Sequence, residues 1–163
     1  MDPVSAAEPT TGALRTDAPE ETHALGRALG AGAEAGTTLA VIGPLGAGKT
    51  QLAKGVADGL GVTSVVNSPT FVLMNEHAGR LRLFHIDAYR LADPDEAHAA
   101  GLFDERQAAG VSVVEWADRL DGWLPPDRLE ISLIPVVEGG DRRTLRWRAL
   151  GPAHARLATA LAE

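Results

Sequence analysis

Cysteine is absent from the chain, which excludes a disulfide framework, a thiolate metal site and a cysteine nucleophile, and fits a reducing cytoplasm. Lysine is scarce. Lys49 and Lys54 are the only two in the sequence, so the N-K-x-D motif by which GTPases select guanine cannot be present. Positive charge as a whole is in deficit, with 15 Lys and Arg against 22 Asp and Glu, a formal net charge of -7 and a pI of about 5.2. Such a surface repels nucleic acid, whose binding rests on basic side chains neutralising phosphates. Unaided binding of RNA is therefore disfavoured, and DNA is not an expected partner. No apolar run is long enough to span a membrane. Residues 1–12 are rich in Ala, Pro, Ser and Thr and have neither the basic start nor the apolar core of a signal peptide, so they read as a disordered tail and the protein as soluble and cytoplasmic. Internal repeats are lacking. The histidines, His23, His77, His85, His98 and His154, show no metal-ligand spacing and read as structural. What remains, residues 13–163 of a 163-residue chain with 45% hydrophobic content, is enough for one cored domain and too short for two.

The chemistry concentrates in residues 43–50, G-P-L-G-A-G-K-T, which fit the phosphate-binding pattern G-x-x-x-x-G-K-[ST] without a mismatch. The apolar run Thr38-Leu39-Ala40-Val41-Ile42 precedes it. A helical pattern with Leu52, Ala53, Val56, Ala57 and Leu60 follows, so the motif has its strand-loop-helix setting. Gly43, Gly46 and Gly48, with Leu45 and Ala47 between them, let the backbone turn its N–H groups inward with no Cβ in the way of a phosphate. Lys49 is placed to neutralise β and γ oxygens of ATP, the Thr50 hydroxyl is a hard ligand for Mg²⁺, and the following helix adds its dipole.

The remaining elements follow from pattern. Ala13-Leu14-Arg15-Thr16 reads as a short first strand. Asp17 with Glu20, and Pro19 in the first turn, open a helix running to about Ala33. The helix after the P-loop ends near a Gly61 cap; Gly55 inside it marks either close packing on the sheet or plain tolerance. Residues 68–76 and 81–87 form a hairpin across His77-Ala78-Gly79-Arg80. Residues 92–108 carry a helix start at Asp93-Pro94-Asp95-Glu96. Val111-Ser112-Val113-Val114 resembles a strand buried on both faces. Residues 129–136 and 142–150 alternate as a second hairpin, and Ala153 to Ala162 is a terminal helix. The fold expected is α/β, a P-loop NTPase-like sandwich: a mixed sheet with a parallel core and antiparallel hairpins, flanked by helices.

A P-loop needs a second metal-binding carboxylate from the C-terminal end of a neighbouring strand. Asp87 and Glu115 are the candidates. The continuous apolar run before Glu115 suits a central parallel strand and assigns it the metal, together with Thr50. Asp87, which follows a strand alternating with Arg82 and His85, falls to orienting the attacking water or supporting the metal, or else to pairing with Arg90. Ser68-Pro69-Thr70 lies on a loop where a hydroxyl such as Thr70 could sense a γ-phosphate, or could simply cap a turn. Trp116 reads equally as core or as a contact residue that covers the site or faces a partner. Arg142, Arg146 and Arg148 share one face of the last strand, with Arg143, Leu145 and Trp147 on the other, and a solvated sheet face is preferred to a docking patch.

Together, G-P-L-G-A-G-K-T, N-S-P-T-F-V-L-M-N-E-H, H-I-D-A-Y-R-L-A-D-P-D-E and V-V-E-W-A-D-R-L resemble the TsaE (formerly YjeE) family over roughly residues 20–150. The chain departs from the family pattern at Pro44 and His77. The resemblance implies a small P-loop ATPase of tRNA threonylcarbamoyladenosine synthesis, working with TsaD and TsaB and reaching tRNA through that complex. It also implies ATP and Mg²⁺ as cofactors, Lys49 and Thr50 on phosphate and metal, Glu115 on metal, Asp87 in hydrolysis, and Ser68-Pro69-Thr70 as a switch-like loop. The rivals are a small-molecule kinase, whose arginine-bearing lid would have only Arg106 in residues 92–110, and a nucleotide-binding partner protein that hydrolyses nothing.

Overall fold

The computed structural model describes residues 10–44, 46–64, 66, 74–89, 105–120, 122–137 and 140–162. The expected switch-like loop Ser68-Pro69-Thr70, Leu45, Arg90, most of the 92–108 helix and residues 1–9 of the expected tail lie outside them.

Seven strands make one sheet in the order β1-β7-β6-β2-β5-β4-β3. They are β1 (Thr10–Thr16), β2 (Thr38–Ile42), β3 (Met74–His77), β4 (Leu83–Asp87), β5 (Val111–Glu115), β6 (Arg128–Pro135) and β7 (Arg143–Leu150). β6, β2, β5 and β4 run parallel in the middle, and β1, β7 and β3 pair antiparallel outside them. This is the mixed α/β sheet with a parallel core expected from the sequence. Of the parallel strands, β2, β4 and β5 are five residues each and almost wholly buried, as strands covered on both faces are, while the eight-residue β6 alternates. On β2, Leu39 and Val41 enter one core with Leu52, Val56 and Leu133, while Ala40 enters the opposite core with Ile86, Val114 and Leu120.

The first strand begins at Thr10, three residues before the expected start, which shortens the expected 1–12 tail. Thr10, Thr11 and Gly12 pair with Ala149, Arg148 and Trp147 of β7. A polar edge strand gives little periodic signal, because its ladder partner lies far away in the chain.

Helix α1 (Pro19–Gly32) has Ala18 as its N-cap, with no side-chain cap. The expected Asp17–Glu20 capping pair does not form; instead the Asp17 N–H donates to Glu21 Oε2 at 2.7 Å. Helix α2 (Lys49–Gly59) follows the P-loop, and Gly61 closes it at φ +74°. The two helices meet backbone to backbone. A Cβ on Gly26 would lie 2.3 Å from the Leu52 carbonyl oxygen, and one on Gly55 would lie 2.1 Å from that of His23. Gly55 therefore marks close packing, but on α1 rather than on the sheet. Beyond these, α3 is the short Glu105–Ala108 turn. The expected terminal helix is two pieces, α4 (Pro152–Leu157) and α5 (Thr159–Ala162).

Candidate functional site

The carboxyl ends of β2, β4 and β5 lie side by side, because Val41 registers with Glu115 and Glu115 with Asp87. Side chains leaving these ends meet the loop that joins β2 to α2, the crevice where open α/β sheets bind ligands. A cavity of about 520 Å³ occupies it, lined by Lys49, Thr50, Asp87, Glu115, Trp116 and Arg143 among others.

The loop is shaped by glycine. Gly46 and Gly48 hold φ of +76° and +99°, a region that Cβ-bearing residues enter only at a cost. Lys49 begins α2 and turns back, its Nζ donating to the Gly43 and Pro44 carbonyls at 2.7 Å each. Burial pushes its pKa down, against the Coulombic pull of Glu115, Asp87 and Asp118. One residue on, the Thr50 hydroxyl donates to Glu115 Oε1 at 3.2 Å. The two groups expected to share a metal thus touch across 65 residues of sequence. Hydroxyl and carboxylate are hard oxygen donors. Among the described residues no cluster of three or more His, Cys, Asp or Glu could hold a metal by itself. That donor set fits Mg²⁺, which is held by one or two protein oxygens together with phosphates, and it does not fit a zinc-type cage.

Asp87 stands beside this pair. Its Oδ1 accepts the Tyr89 N–H at 2.9 Å. Burial raises its pKa above 3.8, the Tyr89 N–H lowers it, and the Glu115 charge raises it again.

Two neighbours, His85 and Arg143, escaped sequence reasoning, and a third was left open. His85, fully buried, donates through Nε2 to Glu115 Oε2, although it read as structural. The signal was its position two residues before Asp87, on the same face of β4. Trp116, left open between core and cover, lines the cavity. Its ring centroid is 4.2 Å from Lys49 Nζ and 4.8 Å from that of Tyr89, and its φ of +58° is the sole positive value of a non-glycine residue among those described. Arg143 donates Nε to Ala47 O at 2.8 Å and Nη2 to Gly46 O at 2.7 Å. Nothing in its local sequence points there, because β7 meets the P-loop only through the fold. By contrast, Arg146 is exposed, and Arg148 pairs with Glu130 at 3.0 Å, as the solvated-face reading expects. No helix among the described residues is long and apolar enough to cross a membrane.

Comparison with known proteins places these features in a family. The family model for "Threonylcarbamoyl adenosine biosynthesis protein TsaE" matches residues 16–144. A protein of Bacillus subtilis named "tRNA threonylcarbamoyladenosine biosynthesis protein TsaE" is 43% identical over 138 residues, covering 84% of this chain and 85% of that one. A Mycobacterium leprae protein of the same name is 38% identical over 147 residues, covering 85% and 91%. The crystal structure of Bacillus subtilis YdiB superposes with a TM-score of 0.77 at 35% identity, covering 94% of this chain and 95% of that one.

Proposed function

The chain belongs to the TsaE family, and from that premise we propose that it serves tRNA threonylcarbamoyladenosine biosynthesis as an ATPase, binding ATP and Mg²⁺ beneath the 43–50 loop. The observation that carries the proposal is the contact of Thr50 Oγ1 with Glu115 at 3.2 Å, beside the buried Lys49. A hydroxyl on a helix N-terminus facing a strand-end carboxylate is the arrangement by which P-loop ATPases hold their metal.

Thr50 and Glu115 would hold Mg²⁺, with His85 orienting the carboxylate from behind. Bound there, the metal would supply positive charge to offset that of the phosphates. Lys49 exchanges its two carbonyl acceptors for phosphate oxygens. The N–H groups at the start of α2 would offer further donors to the same oxygens. Asp87 orients the attacking water and accepts its proton, a role that its raised pKa suits.

Among the described residues that line the cavity, little is offered for the charge that builds on the departing γ-phosphate. Arg143 lines the cavity, but its guanidinium is bonded to carbonyls of Gly46, Ala47, Gly140 and Arg142. An arginine supplied in trans is worth on the order of 10³ to 10⁵ in rate. The proposal therefore includes TsaD and TsaB as activating partners, with tRNA reached through them in the cytoplasm, because the net charge of -7 gives no unaided grip on RNA.

Calorimetry with Mg-ATP tests the site. Wild type is expected to bind, and Lys49→Ala to lose binding by about a hundredfold, since it removes a charged phosphate contact. Wild-type affinity in Lys49→Ala would sink the proposal.

A further inference from the structure

We infer that Arg143 is a positioning residue for the phosphate cradle, tying the Gly46 and Ala47 carbonyls of the P-loop to the β6–β7 hairpin while Lys49 engages phosphate. The inference rests on the nucleotide site proposed above and assigns a role to a residue on the opposite hairpin.

The geometry is a fork on two consecutive peptides. Nε and Nη2 lie on one edge of the guanidinium and donate to Ala47 O and Gly46 O at 2.8 and 2.7 Å. Nη1 donates to the Gly140 and Arg142 carbonyls of the β6–β7 turn. One planar cation thereby ties the apex of the P-loop to the hairpin. In a trans peptide the N–H points away from its C=O. With the Ala47 carbonyl held on the guanidinium, the Gly48 N–H turns the other way, while the Ala47 N–H is taken by Pro44 O. Gly48, at φ +99°, sits where the loop becomes α2 and where a cradle of N–H groups must face the anion.

The two cations divide the loop between them. Lys49 holds its first carbonyls, Gly43 and Pro44, and must release them to reach a phosphate. Arg143 holds carbonyls farther along and need not let go. When Lys49 leaves, Arg143 and the Ala47 N–H bond to Pro44 O at 3.1 Å keep the loop from collapsing into the cavity. Arg143 also brings a second positive charge to the wall without touching the anion.

Lysine separates shape from charge, because a single ammonium keeps the charge but lacks the planar fork that spans two carbonyls. The experiment measures binding of Mg-ATP, and of magnesium tripolyphosphate as a probe lacking a nucleoside, to the full chain carrying Arg143→Ala, Arg143→Lys or Arg143→Gln, with thermal midpoints alongside. We expect the affinity of Arg143→Ala for both probes to fall about tenfold or more while the protein stays folded, and Arg143→Lys to recover little of it. Should Arg143→Ala fail to fold, the same loss in Arg143→Lys and Arg143→Gln supports the inference. Wild-type affinity in the folded variants overturns it and leaves the ATP site standing. Full rescue by Arg143→Lys overturns it in favour of a charge-only role. A loss for ATP without one for tripolyphosphate overturns it by moving Arg143 to the nucleoside. A wild-type chain that binds neither probe overturns the nucleotide site and this inference together.

Discussion

Glu115 and Asp87 are neighbours in register on β5 and β4, yet their surroundings divide them. Glu115 is 3% exposed and is bonded by Thr50 and His85; Asp87 has the Tyr89 N–H and an open side toward the cavity. Glu115→Gln is therefore expected to weaken the Mg²⁺ dependence of nucleotide binding. Asp87→Asn should bind normally and turn over slowly, and titrating Mg²⁺ in calorimetry against single-turnover rates tells the two apart. The reverse pattern would exchange their roles. Asp87 also affects stability. Its folded pKa is raised above 3.8, chiefly by burial, so its contribution is fully present below that value and is lost as pH rises through the folded value. At neutral pH the ionised carboxylate is a burden on the nucleotide-free fold. Asp87→Asn should raise the thermal midpoint there, with the gain vanishing as the pH is lowered into the carboxylate range. A midpoint unchanged at neutral pH would deny that burden.

Among elements, the α1–α2 pair decides where the P-loop points, because Lys49 and Thr50 open α2. The pair packs through glycine on both sides. Gly26 and Gly30 face the Leu52 and Val56 carbonyls, and Gly55 and Gly59 face those of His23 and Arg27, each with room for no Cβ. Alanine is the better helix former by about 1 kcal/mol. At Gly55 that gain is outweighed, because the new methyl would sit 2.1 Å from the His23 carbonyl oxygen and the helices must part. We expect Gly55→Ala to destabilise the protein by about 1–3 kcal/mol, the usual cost of overpacking, read as a lower urea midpoint. A neutral or stabilising effect would show that the helices separate freely. Nucleotide affinity should fall with it, since α2 carries the phosphate contacts on its first turn.

At the scale of the molecule, two histidines make the fold sensitive to acid. His154 is buried with its Nε2 accepting the Thr38 N–H at 3.0 Å, and burial lowers its pKa below 6.5 against the opposing charge of Asp127. His77 is lowered too, by burial and then by His85. A lowered histidine contributes stability above its unfolded value that is lost as pH falls through the folded one. The thermal midpoint should drop between about pH 7 and about pH 5, and less so in His154→Gln, which keeps an acceptor for Thr38. A flat profile in wild type would contradict this. The same scale governs turnover. The purified chain is expected to be nearly silent, to gain about tenfold or more on adding TsaD and TsaB, and to gain nothing from tRNA alone. Vigorous turnover by the isolated chain would remove the need for a partner.

The sequence by itself determined the local features: the glycine-shaped loop, the Lys49 and Thr50 positions, the fully buried β5 ending in Glu115, the second hairpin, and the described part of the first, where β3 pairs with β4 but takes in His77 from the expected turn. Each is written in neighbouring residues through a motif, a period or a turn, so no distant contact was needed to read it. Tertiary structure alone decided what meets at the site. Strand order brings Glu115 onto Thr50, and alternation on β4 then turns His85 onto Glu115. Arg143 reaches the P-loop across 96 residues because β6 lies between β2 and β7. The start of β1 was misplaced for the same reason: a backbone N–H takes whichever acceptor the folded chain presents, and for Thr10–Gly12 that acceptor is β7, at the far end of the sequence.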